Sequence, residues 1–256
     1  MKLFYNLVNS ALWRKIILLA GFIFLISFIF SGNIDNPITA EEPEFVQTQE
    51  QLIENLEKVA GIDDQKVLEA MSKIERHKFV LEDYIPYAYV DMPLPIGYQQ
   101  NISAPHMIAL MTSLLDLEET SRVLEIRTRA GYHTAILAEI AAEVFTLEAV
   151  TELKELAENN LDELGYTNVN FKVRDVYLGW DPEESFDAVV VKGSIEEVPP
   201  FLLDQLKDGG NMIIPLGAPE EPQMLTKITR VGDDYLKEEY GQVNFIPIDW
   251  EPGVFN

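Results

Sequence analysis

Apolar and polar positions divide the chain into three stretches. The first centres on residues 16–34, which carry no charge and include IILLAGFIFLISFIF. At about 1.5 Å per residue this run spans roughly 28 Å, close to a bilayer core. It predicts a transmembrane helix, a retained signal anchor over residues 1–31. A cleaved signal peptide and a buried helix are the alternatives. Neither Ser31-Gly32-Asn33 nor Ile38-Thr39-Ala40 makes a good small-x-small cleavage site. Residues 32–45, with two prolines and several acids, read as a linker.

The third stretch, 46–256, is patterned as one domain. Leu52, Ile53, Leu56 and Val59 lie at helical spacing. Asp63 and Asp64 open a second helix with Val67, Leu68, Met71 and Ile74 along one side. Residues 81–104, with Pro86, Pro93, Pro95 and Gly97, predict irregular chain. Pro105 starts a helix that turns Met107, Ile108, Met111, Leu114 and Leu115 inward, with Ser103 placed to cap it. Beyond it, strands are expected at 123–126, 144–147, 169–173, 186–191, 211–216, 224–231 and 243–246. Helices are expected at 132–142, 151–164 and 199–206. The run FDAVVV at 186–191 fits a strand buried on both faces. This alternation predicts an α/β fold, a mostly parallel sheet with helices on both faces. The last strands lack intervening helices and predict an antiparallel edge.

Composition narrows the chemistry. The formal charge is −24, from 19 basic and 43 acidic side chains, which excludes a nucleic-acid partner needing a basic face. The absence of Cys excludes a disulfide scaffold, a thiol nucleophile and a thiolate metal site. His77, His106 and His133 are too far apart in sequence to suggest a metal cluster. Charge is also polarised. Lys2, Arg14 and Lys15 precede every acid in the chain, while Asp35, Glu41, Glu42 and Glu44 follow the apolar run. Basic flanks stay in the cytoplasm, so the domain is expected on the outer, periplasmic side of a membrane that the chain crosses once.

Three segments could carry chemistry. Val123-Leu-Glu-Ile-Arg-Thr-Arg-Ala-Gly-Tyr132 places an acid at a strand end before a turn and a helix, the layout of a nucleotide crevice. Glu148 ends the next strand, and Asp175 follows the third. A fourth segment, YAYVDMPLPIGYQQNISAPHM at 87–107, makes the set specific. Together with RHKFV (76–80), GYHTAILA, TLEAV, LGYTNV, Gly179-Trp180, FDAVVV, Glu197-Val-Pro-Pro200, QLKDGG, IIPLG and Phe245-Ile-Pro, it resembles the protein-L-isoaspartate O-methyltransferase family over roughly residues 46–249. The resemblance implies a seven-stranded Rossmann-like methyltransferase sheet, S-adenosylmethionine as cofactor and no metal. It implies methyl transfer to the α-carboxyl of an isoaspartyl residue, whose ester then collapses to a succinimide. It assigns Glu125, Gly131, Glu148 and Asp175 to the cofactor, and Gln100 and Ser103 to the substrate side.

The departures gather at the carboxyl ends of strands. Where the family reads EIGTGSGY, this chain has Glu125-Ile-Arg-Thr-Arg-Ala-Gly-Tyr132, so Arg127 and Arg129 replace two of three loop glycines. Gly-Asp-Gly becomes Arg174-Asp175-Val176, Gly-Gln-Thr-Ile-Ser becomes Gln99-Gln100-Asn101-Ile102-Ser103, and Thr-Ala-Ala becomes Lys192-Gly193-Ser194. An arginine in the loop brings a Cβ penalty and meets a sulfonium with like charge. These changes and the expected topology predict a catalytically impaired, membrane-anchored relative that binds no S-adenosylmethionine and serves as a docking or accessory subunit of a membrane complex. The alternative is an active repair methyltransferase. A third reading gives Arg127, Arg129 and Arg174 an anion where the cofactor sat. Plainer roles also exist. Ser103 can be a helix cap, Glu148 and Asp175 solvated strand ends, His106 and His133 ordinary residues on helical surfaces, and Asp181 to Glu184 a solvated loop.

Overall fold

The computed structural model describes residues 44–173, 179–218 and 221–248. The apolar run at 16–34, nearly all of the linker, Arg174 and Asp175 lie outside them. Among the described residues no helix is long and apolar enough to cross a membrane.

Local chemistry sets the first elements. Helix α1 (Gln49–Lys58) opens on a capping box: the Gln51 amide donates to the Thr48 hydroxyl and the Thr48 amide to the Gln51 side chain. It buries Leu52 and Leu56, but Val59, expected inward, lies past its end and is 81% exposed. Helix α2 (Gln65–Lys73) is capped by Asp64, which accepts from the amides of Lys66 and Val67. Residues 81–104, expected to be irregular, contain a 3₁₀ turn and then an antiparallel hairpin of β1 (Leu94–Gly97) and β2 (Gln100–Ile102). Helix α3 (Pro105–Ser113) is not capped by Ser103. Its N-cap is Ala104, Pro105 has no amide to satisfy, and the His106 amide goes to Asp91 Oδ1 at 2.9 Å.

The main sheet follows. Its elements are β3 (Arg122–Ile126), α4 (Tyr132–Ile140), β4 (Glu143–Glu148), α5 (Thr151–Glu163), β5 (Val169–Val173), β6 (Phe186–Val191), α6 (Pro200–Asp204), β7 (Leu206–Leu216), β8 (Gln223–Val231) and β9 (Asp234–Val243). The strand order is β5-β4-β3-β6-β7-β8-β9. The first five strands in that order run parallel, while β8 and β9 add antiparallel. The expected α/β class and antiparallel edge are therefore observed. The last strand is not at 243–246 but at Asp234–Val243. Its DYLKEEY stretch is exposed on both faces, so no alternation marked it, and such charge suits a sheet edge. Strand β7 also starts earlier than expected, running through Gly209-Gly210 with a register shift against β6.

Alternate side chains on the parallel strands feed two cores. Val123, Val144, Ala188, Val190 and Ile213 pack with the helices of one face. Leu124, Phe145, Val189, Val191 and Met212 join Trp180 and Leu202 on the other. Chain direction reverses about β3: the path leaves toward β4 and returns on its other side as β6. The crevice beyond the ends of β3 and β6 is thus the topological switch point, where ligands bind in such folds.

Candidate functional site

Three loops meet at that switch point: 127–131 after β3, 192–194 after β6, and the hairpin-to-helix segment around Ser103. Glu125, one residue before the end of β3, is fully buried. Its Oε2 accepts from the hydroxyls of Thr134 (2.6 Å) and Thr146 (2.7 Å). Its Oε1 lies 2.6 Å from Lys192 Nζ, which is itself buried and also donates to the Thr128 carbonyl. Burial pushes the Lys192 ammonium down, and Glu125 opposes that shift. Sequence reading missed this ion pair. Lys192 was visible as a departure, but nothing in the sequence paired it with Glu125.

The loop after β3 keeps a glycine conformation without the glycines. Arg127 and Arg129 adopt φ of +74° and +59°, in the left-handed region. Such a conformation costs an L-residue roughly 1–2 kcal/mol. Gln99, in the position of another family glycine, also holds a positive φ, +55°. Both arginine side chains turn inward, 7% and 6% exposed. Arg127 Nη1 donates to the Ile246 carbonyl at 3.1 Å. A Cβ at position 193 would lie 3.0 Å from that same nitrogen and 2.4 Å from Ile248, so Gly193 gives Arg127 its room. Arg129 Nη1 donates to the Asn101 carbonyl at 2.6 Å, and Nη2 to the Lys192 carbonyl at 3.0 Å. The substitutions at 127, 129 and 192–193 thus form one mutually fitted cluster.

Gly131, third of the loop, has φ +91°, and a Cβ there would meet Ala157 Cβ of α5 at 3.2 Å. It lets α4 begin against α5. Glu148 is 3% exposed rather than solvated. Its Oε2 accepts from the Arg129 amide at 2.8 Å, and its Oε1 from the amides of Ala149 and Val150.

On the substrate side, the Ser103 carbonyl accepts from buried Arg76 at 2.9 Å, and its hydroxyl lies 3.4 Å from Arg129 Nη1. Gln100 is buried, with Oε1 unpartnered. A cavity of about 360 Å³ opens here, lined by Asn101, Ser103, His106, Met107, Arg129 and Phe245 among others. His106 faces Asp91 through Nδ1 at 3.0 Å, and that carboxylate raises its pKa. His133 does not face a surface as expected. Helix α4 is buried nearly all round, and His133 Nε2 lies 2.9 Å from the Thr112 hydroxyl. Burial holds this imidazole well below its usual pKa. His77 lies apart from the crevice, against Tyr89 and Phe45. Among the described residues no group of three or more His, Asp or Glu side chains could hold a metal.

Comparison with known proteins matches this architecture to a family. The pattern of protein-L-isoaspartate(D-aspartate) O-methyltransferases fits residues 47–251. The chain belongs to that family. A protein-L-isoaspartate O-methyltransferase of Dictyoglomus thermophilum is 45% identical over 213 residues, covering 83% of this chain and 96% of that protein. Protein-L-isoaspartate O-methyltransferase 2 of Shewanella sediminis is 43% identical over 210 residues, covering 82% and 86%. Among solved structures, a Plasmodium falciparum relative in complex with S-adenosyl-L-homocysteine superposes with a TM-score of 0.70 at 28% identity, over 80% of this chain and all of the other. The isoaspartyl methyltransferase frame, seven strands and crevice included, is therefore that of this chain.

Proposed function

We propose that this chain is a non-catalytic member of the isoaspartyl methyltransferase family whose cofactor crevice is filled by its own side chains. One observation carries the reading. Arg127 and Arg129 hold the backbone of glycines but send buried guanidinium groups into the space between the loops, where Gly193 and the Ile246, Asn101 and Lys192 carbonyls receive them. The acids that the family resemblance assigns to the cofactor are also engaged internally. Glu125 is held by Lys192, Thr134 and Thr146, and Glu148 by three backbone amides. S-adenosylmethionine does not fit this donor set. A sulfonium would face guanidinium groups, and its ribose and amino groups would compete with short internal bonds. No methyl-transfer step is derived through it.

The domain is proposed to sit outside a membrane on an anchor formed by residues 16–34, as a docking or accessory subunit of a membrane complex. Support comes from the uncharged run and from Arg14 and Lys15 before it. An active repair methyltransferase is the second reading, favoured by the 43–45% identity to enzymes of that name and by the retained pocket at Ser103. Incubating the full-length protein with methyl-labelled S-adenosylmethionine and an isoaspartyl peptide separates the two. The proposal expects no label in the peptide; turnover by a homogeneous preparation would establish the second reading instead. For the topology, an enzyme reporter fused after Asn256 is expected to be active only when it works outside the cytoplasm.

A further inference from the structure

We propose that the corner of the domain carrying Val46, Tyr87 and Met92 rests on the uncharged headgroup surface of a lipid bilayer. The inference rests on the anchored topology proposed above, and it goes further by naming the face that meets the membrane.

The chain enters the fold at a fixed point. Phe45 packs against the core, its ring 5.3 Å from that of His77 and 5.0 Å from that of Tyr89. The Val46 amide donates to the Pro86 carbonyl at 2.8 Å. Phe45 lies eleven positions after Ile34, the last residue of the uncharged run. Fully extended, eleven residues reach at most about 38 Å. A bilayer that holds the run therefore keeps the Phe45 corner within that distance of its surface. Such a tether also raises the local concentration of lipid at this corner, so that contacts too weak to recruit a free domain can persist.

Apolar side chains stand exposed at the same corner. Val46 is 65% exposed, Tyr87 46% and Met92 42%. Its bond to Pro86 sets Val46 beside Tyr87. Tyr87 and Met92 share one run of tight turns, in which the Val90 amide donates to the Tyr87 carbonyl and the Met92 amide to the Val90 carbonyl. Leu81, also exposed, precedes the 3₁₀ turn (Glu82–Tyr87) that leads into this run. Burying such side chains is favourable. Their company selects the partner. Tyrosine joins an apolar ring to a polar hydroxyl, the combination enriched where headgroups meet acyl chains. Glu44, Glu82, Asp83 and Asp91 are exposed along the same segments. These acids repel an anionic surface, whereas a zwitterionic headgroup layer carries no net charge to oppose them. Apolar groups standing between acids do not form the continuous groove that a partner helix fills. They suit a shallow contact with lipids, which adapt to the shape presented.

The chain contains no Cys, so a single introduced cysteine reports from one chosen place. The full-length protein is reconstituted into phosphatidylcholine vesicles with an environment-sensitive fluorophore on Tyr87→Cys, on Met92→Cys or, as a control, on Leu236→Cys of the exposed edge strand β9. At 87 and 92 the emission is expected to shift to the blue, and lipids bearing a nitroxide near the headgroup should quench about half of it. At 236 neither change is expected. Equal signals at all three positions, or no signal at 87 and 92, would overturn the proposal. Adding phosphatidylglycerol to the vesicles should weaken the contact, because the acids at this corner meet a like charge. A stronger contact there would overturn the choice of an uncharged surface. A probe at 87 that stays in water on pure lipid but is covered in native membrane vesicles would assign the corner to a protein partner instead. Flotation keeps the two ideas apart. If the protein does not float with the vesicles, the anchored topology fails and this inference with it. If it floats and both probes report water, only the lipid-facing corner is lost.

Discussion

Two sides of one loop behave differently. On the crevice side, positions 127 and 129 carry arginines at φ +74° and +59°. On the helix side, position 131 remains glycine at φ +91°, with Ala157 3.2 Å from where a Cβ would stand. All three backbones are left-handed, so the dihedral alone does not decide which glycine can be lost. Packing does. A left-handed conformation costs roughly 1–2 kcal/mol, which a buried hydrogen-bonded side chain can offset. At position 131 a Cβ would stand 3.2 Å from Ala157 Cβ and 3.4 Å from its backbone, so a closely packed helix would have to give by a few tenths of an ångström with no hydrogen bond gained in return. The arginines found room only where the fold leaves a crevice, and that crevice is the place a cofactor would need.

The comparison can be broken or sharpened at four points. The largest effect is expected on the crevice side. Lys192→Met leaves Glu125 buried without its cation, and unfolding in urea should show a loss of about 3–5 kcal/mol. If that variant is as stable as the wild type, Lys192 and Glu125 do not form a tight internal network in the crevice. Next comes the helix side. Gly131→Ala combines the left-handed penalty with overpacking against α5 and should cost about 2–3 kcal/mol by the same measurement. A neutral result would remove the packing explanation for why this glycine stays.

The third effect appears with pH. His133 is buried beside Lys192 and Arg129, with Glu125 3.9 Å away and already paired; burial first, then the two cations, hold its folded pKa well below 6.5. The folded state therefore keeps His133 neutral. Its contribution is fully present above about pH 6.5 and is lost as pH falls below that value. Stability should decline by up to about 1.4 kcal/mol per pH unit between roughly pH 6.5 and 5. His133→Gln should flatten that window, and an unchanged slope would exclude His133 as its source. The smallest effect is Arg127→Gly. Relief of the left-handed strain, worth roughly 1–2 kcal/mol, offsets part of what the buried Arg127 side chain contributes, its bond to Ile246 included, so the net loss should stay within about 2 kcal/mol. A larger destabilisation would mean that Arg127 holds the C-terminal segment more firmly than its bond to Ile246 alone suggests.

Much of the fold was legible because its signals are local. The Asp64 cap, Pro105 at a helix start and FDAVVV as a doubly buried strand each follow from neighbouring residues. Strand β9 was not, because an exposed, charged edge strand has no apolar alternation to read. The site divided in the same way. Arg127, Arg129 and the Lys192-Gly193 change stand out in the sequence, but their mutual fit depends on three loops that meet only in the fold. His133 was misplaced for a related reason: α4 is apolar around most of its circumference, so helical spacing could not tell an exposed face from a buried one.

The central claim is that the chain's own arginines occupy the cofactor's place, and equilibrium binding tests it most directly. Calorimetric titration of the purified full-length protein with S-adenosylmethionine is predicted to give no saturable heat up to millimolar ligand, in wild type and in Lys192→Met alike. Stoichiometric binding in the micromolar range by the wild-type protein would contradict the account.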